Sequence, residues 1–210
     1  MTIKCLAFDL DGTLLLDGSK KIDPRTFDSI QKAMAQGMHI VIASGRDKNG
    51  CKFVYEPLGL EDGNHFLALV NGQVVYDFEN KEYDLDDVLT TEDGIKIQKV
   101  CKEFGVEGIF QCGYDFYSYI SSLNRVKKKV KNAILGEPDD YGLKDGRENR
   151  NFIDLPFEEI RLTQDINKVI MVHTPKFFEK NFEGIKEALS DYDVLLIGPD
   201  WLEIMPKHVN

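Results

Sequence analysis

The chain alternates short apolar runs with longer segments whose apolar residues recur at helical spacing. Residues 3–9 are apolar nearly throughout and read as a buried strand, of the kind parallel sheets cover on both faces. Asp23-Pro24 opens a helix, with Asp23 as N-cap and Pro24 at the first helical position. Phe27, Ile30 and Met34 follow at helical spacing, and Gly37 is the stop. Residues 38–43 predict a second strand, 48–55 a short helix and 66–70 a third strand. This alternation predicts an open α/β sheet with parallel strands. Asn71-Gly72 is a turn signal, and residues 73–77 continue as a strand.

Beyond about Asn80 the pattern changes. A helix over 92–104 precedes strands near 108–112 and 116–121 and a helix over 123–135. A polar stretch rich in Gly and Asp runs over 136–151. A strand at 169–173, a helix at 175–189 and short strands at 194–197 and 202–205 follow. Mixed hairpins and helices imply a separate α+β unit inserted after the third strand. The division expected is a core made of 1–79 and 205–210, and an inserted domain of 80–204.

Composition narrows the class. The 210 residues are 42 % hydrophobic and 30 % charged, as in a folded globular protein. The net charge of -10 disfavours general nucleic-acid binding, which needs a basic face, but not a small phosphate compound met through a cation. The basic run Arg125-Val-Lys-Lys-Lys-Val-Lys131 reads as a solvated helix face, with Val126 and Val130 turned inward. Tyr114, Phe116, Tyr117 and Tyr119 read as cross-strand packing on a hairpin. Cys5, Cys51, Cys101 and Cys112 form no CxxC pair and read as reduced, mostly buried thiols. No leader-like segment precedes the first strand and no apolar run reaches membrane-spanning length, so the expectation is a cytoplasmic protein.

Candidate chemistry starts at Asp9-Leu10-Asp11-Gly12-Thr13, at the end of the first strand, where open α/β sheets bind ligands. Side chains two apart on an extended backbone share a side, so Asp9 and Asp11 converge. Two carboxylates this close need a cation or proton between them, which suits Mg²⁺. Gly12 lets the chain turn sharply. The chemistry expected is attack by Asp9 on phosphorus, with Asp11 as acid and then base. Ser44-Gly45-Arg46 follows the second strand; the hydroxyl and the forked guanidinium there are candidate phosphate donors.

DLDGT after a strand, then IVIASGR, then LVNGQVVYD before an α+β insertion resembles the haloacid dehalogenase (HAD) superfamily, in particular its Cof-type or IIB phosphatases with a C2-type cap. The closing WLEIMPKHVN resembles the segment by which that cap returns to the core. The resemblance implies a Rossmannoid parallel-sheet core with an inserted α+β cap. It implies Asp9 as nucleophile and Mg²⁺ ligand, Asp11 as acid/base with its backbone carbonyl on Mg²⁺, and Ser44, Gly45 and Arg46 at the phosphate. The substrate it implies is a small phosphorylated metabolite: a sugar phosphate, nucleotide or cofactor precursor. A phosphomutase of the same superfamily and an inactive remnant that only binds are the alternatives.

Two family motifs, a lysine that opens a core helix after the cap and a Gly-Asp-x-x-Asn-Asp stretch, do not occur up to Asn210; Lys207 lies near the first. The expectation is therefore a core lacking its C-terminal part, with the first strand at a sheet edge, weak Mg²⁺ binding, slow turnover and self-association through the incomplete sheet.

Overall fold

The structure is a computed structural model and describes residues 3–15, 21–85, 87–113, 115–135, 151–156 and 165–208. It divides into two compact units, one built on Met1–Asp86 and the other on the residues from Asp87 to His208. Tyr114, residues 136–150 of the polar stretch, and the last two residues lie outside the described set.

The first unit is a five-stranded sheet in the order β1-β2-β3-β4-β5. β1 (Cys5–Asp9), β2 (His39–Ala43) and β3 (Phe66–Leu69) are parallel; β4 (Val74–Asp77) and β5 (Glu82–Leu85) continue antiparallel. α1 (Pro24–Ala35) begins as the Asp23-Pro24 signal requires: the Asp23 carboxylate accepts from Arg25 N and Thr26 N. α2 (Lys48–Leu58) runs three residues past the expected end, through Pro57, to a left-handed Gly59 cap. Ile30 of α1 and Cys51, Val54, Tyr55 and Leu58 of α2 pack on Ile40, Ile42, Leu67 and Leu69 of the sheet.

Two expectations need correction here. Residues 3–9 do not form a strand covered on both faces. β1 is the outermost strand of its sheet, and Cys5, Ala7 and Asp9 are exposed, because only β2 pairs with it among the described strands. β5 was not expected at all. It is polar and exposed throughout, and exists because the turn after Asp77 folds it back on β4. The Asp77 carboxylate holds that turn by accepting from Glu79 N and Asn80 N, and Lys81 takes a positive φ of 57°.

The second unit is a six-stranded sheet in the order β10-β11-β9-β6-β7-β8. It comprises α3 (Thr91–Phe104), β6 (Glu107–Cys112), β7 (Asp115–Ile120), α4 (Ser122–Leu135), β8 (Asn151–Pro156), β9 (Lys168–Val172), α5 (Pro175–Ala188), β10 (Asp193–Gly198) and β11 (Trp201–Met205). β8, also unexpected, lies parallel to β7 across a sequence gap no local pattern reveals. Cross-strand register puts Phe110, Tyr119, Val169, Met171, Leu202 and Ile204 on one face, and α3 and α5 cover it with Ile97, Cys101, Phe178 and Ile185. Phe110 and Tyr119 meet edge to face at 4.7 Å, and Phe116 packs with Ile109 and Ile170 on the opposite face, so these aromatics are core residues. That opposite face also buries an ion pair, Lys168 Nζ to Glu203 Oε1 at 2.7 Å.

Val126 and Val130 do not turn inward. They are 60 % and 54 % exposed, and Ile134 on the same stripe 76 %. The helix-bearing face of the sheet is occupied by α3 and α5, and no described residue of α4 belongs to that cluster. No helix among the described residues is long and apolar enough to cross a membrane.

α3 starts with a capping box that the sequence reading missed. Thr90 Oγ1 accepts from Asp93 N at 3.2 Å, and the Asp93 carboxylate accepts from Thr90 N at 2.9 Å. Tyr192 OH donates to the same carboxylate at 2.7 Å. Burial alone would raise the Asp93 carboxyl, but the hydrogen bonds from Thr90 and Tyr192 outweigh it and hold the group below its ordinary range. A depressed carboxyl stabilises the fold above its ordinary pKa, and that contribution is lost as pH falls through the folded value. Tyr192→Phe should therefore narrow the difference in unfolding midpoint between pH 6 and pH 3; an unchanged difference would show that Asp93 is not coupled to folding. Lys168→Met strands a buried carboxylate and is expected to cost about 3–5 kcal/mol in chemical denaturation. Lys168→Met with Glu203→Leu should recover most of that loss.

Candidate active site

Three parallel strands end side by side in the first unit, and each delivers a loop to the same edge. The register pairs Asp9 with Ala43 and Ala43 with Ala68, so the residues that follow each strand start level with one another.

After β1 the chain makes a tight loop. Leu14 N donates to Asp9 O at 3.1 Å, Leu15 N to Leu10 O at 2.8 Å and Gly12 N to Leu15 O at 2.9 Å. Gly12 sits at φ 81°, a conformation a side chain would oppose. Leu10, Leu14 and Leu15 are buried and anchor the loop, while Asp9 and Asp11 on either side of Leu10 are exposed. Thr13 Oγ1 donates to Asp9 Oδ2 at 2.9 Å.

After β2 come Ser44, which is buried, Gly45, which is exposed, and Arg46. Ser44 N donates to Ala68 O at 2.8 Å, tying the loop to β3. Ser44 Oγ accepts from Arg46 N at 3.2 Å. Asp47, also buried, caps α2 by accepting from Gly50 N at 2.6 Å. The Arg46 side chain reaches across to the first loop. Its Nε donates to Asp11 Oδ2 at 2.9 Å and its Nη2 to Asp11 Oδ1 at 2.8 Å, a forked, charge-assisted pair.

After β3, Val70 and Asn71 take φ of 50° and 60° before Gly72 at 90°. A β-branched residue in that region is unusual and costs on the order of 1–3 kcal/mol. The conformation lets Val70 N donate to Arg46 O at 3.0 Å and Asn71 N to Ser44 O at 3.3 Å, so the third loop grips the second.

The structure thus brings Asp11 and Arg46 into contact, with Ser44 on the same loop as Arg46 and Asp9 two residues from Asp11. Lys207 lies in the other unit and is exposed. Thr13 also belongs to this site, and its signal in the sequence is a hydroxyl four residues after Asp9 beside a turn-forming glycine. Asp47 is likewise signalled, as an Asp directly before a helix. Lys48 Nζ stands 3.4 Å from the Tyr76 ring centroid and is turned to the β4–β5 aromatics.

Among the described residues no three His, Cys, Asp or Glu side chains form a metal cluster. A magnesium ion needs only one or two protein carboxylates and completes its shell with water and substrate phosphate oxygens. The Asp9 carboxylate and the Asp11 backbone carbonyl are hard oxygen donors of that kind.

A family model described as haloacid dehalogenase-like hydrolase matches residues 6–210. A protein of Streptococcus pyogenes serotype M6 that carries a phosphatase name is 28 % identical over 219 residues, covering 100 % of this chain and 72 % of that protein. The 5-amino-6-(5-phospho-D-ribitylamino)uracil phosphatase YcsE of Bacillus subtilis is 36 % identical over 75 residues, 36 % of this chain and 28 % of that protein. Among solved structures, a haloacid dehalogenase-like hydrolase from Bacteroides thetaiotaomicron superposes with a TM-score of 0.73 at 22 % identity, over 100 % of this chain and 73 % of that one. The subclass IIB sugar phosphatase BT4131 superposes with a TM-score of 0.70 at 19 % identity, over 99 % and 71 %. The structural likenesses establish the fold.

Cys51 packs beneath Ser44, and its thiol is pushed up to about 12 by burial, which outweighs the opposing hydrogen bond from Ser44. Burial also raises Cys112 to about 12 and lifts Cys101, whereas Cys5 is exposed on β1. A thiol-disulfide reagent at pH 8 should label Cys5 alone rapidly in the native protein and all four cysteines after denaturation. Rapid native labelling at Cys51 would show that the floor of the Ser44 loop opens.

Proposed function

The chain belongs to the haloacid dehalogenase-like hydrolase family, and from that premise we propose that it hydrolyses small phosphate monoesters through an aspartyl-phosphate on Asp9. The supporting observation is the convergence of three parallel strand ends on one edge, which sets an exposed carboxylate met by the Thr13 hydroxyl, a second carboxylate held by a guanidinium, and a buried serine on neighbouring loops.

In the first step an Asp9 carboxylate oxygen bonds to phosphorus in line with the leaving oxygen, and the bond from phosphorus to that oxygen breaks. Asp11 gives its proton to the departing alkoxide. In the second step a water oxygen bonds to phosphorus, its proton passes to Asp11, and the bond from phosphorus to Asp9 breaks. Inorganic phosphate leaves, and both aspartates return to their starting states. Thr13 orients the nucleophile through its bond to Oδ2, which leaves the other oxygen of Asp9 to attack. Ser44 and Gly45, with Arg46 beside them, border the phosphate. Bound Mg²⁺, held by the Asp9 carboxylate and the Asp11 carbonyl, would offset charge on the phosphoryl oxygens.

The substrate class proposed is a sugar phosphate, nucleotide or phosphorylated cofactor precursor; one similar protein is named a sugar phosphatase and another a 5-amino-6-(5-phospho-D-ribitylamino)uracil phosphatase. Self-association is proposed at β1, which pairs only with β2 among the described strands.

Asp9→Asn should abolish both release of inorganic phosphate from p-nitrophenyl phosphate and capture of beryllofluoride, read by ¹⁹F NMR with Mg²⁺. Asp11→Asn should keep the capture and lower kcat by roughly 10²–10⁴-fold. An Asp9→Asn protein that turns over like the parent would refute the nucleophile.

A further inference from the structure

We infer that Arg46 is the positioning residue of Asp11 rather than a standing ligand of the phosphate. This rests on the hydrolase reading above and changes what one residue of that site does.

The fork spends its two parallel donors on Asp11, with both oxygens of the carboxylate engaged at 2.8 and 2.9 Å. A grip on phosphate through that same Nε–Nη2 edge would require releasing the carboxylate, and a phosphate could otherwise meet only the outer Nη1–Nη2 edge. Of the two partners, Arg46 is the fixed one. Its side chain is 28 % exposed against 56 % for Asp11. Its backbone is pinned at both ends: the N–H to Ser44 Oγ and the C=O to Val70 N. The Phe53 ring on α2 lies 5.6 Å from Cζ and supports the guanidinium. Asp11 stands in a loop turned by Gly12, so its carboxylate takes the orientation that Arg46 imposes.

The geometry answers a specific need. Asp9 and Asp11 are both exposed and stand two residues apart, and like charges at that spacing drive side chains away from each other. Thr13 occupies one carboxylate and Arg46 the other, so neither has to turn from the site. A guanidinium stays protonated through the whole cycle. It can keep one carboxylate oxygen on its fork while the other oxygen exchanges the proton with the leaving group or water, and then restore the planar two-point pair. Lysine could not do this, since a point charge fixes no plane.

The parent chain, Arg46→Gln, Arg46→Lys and Phe53→Leu would be compared with p-nitrophenyl phosphate, inorganic phosphate as inhibitor, and Mg²⁺-beryllofluoride as a binding probe. Circular dichroism would check that each variant is folded. A positioning role predicts that Arg46→Gln loses roughly tenfold or more in kcat while KM, the phosphate inhibition constant and beryllofluoride capture stay within about twofold. Arg46→Lys should resemble Arg46→Gln. Added guanidinium should restore part of the kcat of Arg46→Gln and none of that of Asp11→Asn. Phe53→Leu, which keeps the charge and loosens its support, should lose less kcat than Arg46→Gln. A raised KM and phosphate inhibition constant with kcat retained would overturn the inference in favour of a phosphate ligand. Full activity in Arg46→Lys would overturn it in favour of charge alone. A parent that is folded but neither turns over nor captures beryllofluoride would instead sink the hydrolase reading, and the inference with it.

Discussion

The parallel pairing of β1 with β2, Asp9 level with Ala43, is the constraint on which the candidate site depends. It sets the loop after the first strand beside the loop after the second, and so allows one guanidinium to reach Asp11. The register is held by the apolar pattern: Leu6 and Phe8 lie opposite Ile40 and Ile42, on the face packed by α1 and α2. A slip of one residue would turn that row to solvent and carry Asp9 and Asp11 to the wrong face. Packing in the core and the placement of the rim carboxylates therefore share one cause, and a mutation that disturbs the first is felt at the second.

The site itself is a solution to electrostatic repulsion. Two carboxylates on one short loop are unstable company in the absence of counter-charge, and the fold gives each its own partner, a hydroxyl from four residues downstream and a fork from the neighbouring loop. The strained Val70–Asn71 pair belongs to the same arrangement, since its backbone N–H groups clamp the loop that carries Ser44 and Arg46. The backbone strain lies one loop away from the carboxylates and is offset by those hydrogen bonds and by the burial of Val70 and Leu69.

The second unit uses a different economy. One face of its sheet is a conventional core under two helices. The other buries polar and apolar side chains together: Gln111, Ser118, Lys168 and Glu203 among Ile109, Phe116 and Ile170. Ser118 donates to the half-buried Glu107, and Trp201 Nε1 to the buried Glu203 at 3.2 Å, so Glu203 is met by a second donor as well as by Lys168. Such a face is costly to break at a single residue, because each removal leaves a desolvated partner behind.

Much of this was legible in the chain. The parallel strands, α1 with its Asp23-Pro24 start, the turn at Asn71-Gly72 and the DLDGT and SGR loops could be read locally, because apolar periodicity, N-caps and glycine turns are set by a few adjacent residues. β5 and β8 could not: one is polar and exposed, the other pairs across a long gap, and both exist only through partners distant in sequence. The outward turn of Val126 and Val130 was equally hidden, since spacing shows that two residues share a face but not whether a neighbour covers it. The same holds at the site. Sequence alone determined which strand tips carry carboxylates, hydroxyl and guanidinium. Only tertiary structure decided that Arg46 meets Asp11, because a contact across 35 positions is made by sheet register, which no local pattern encodes.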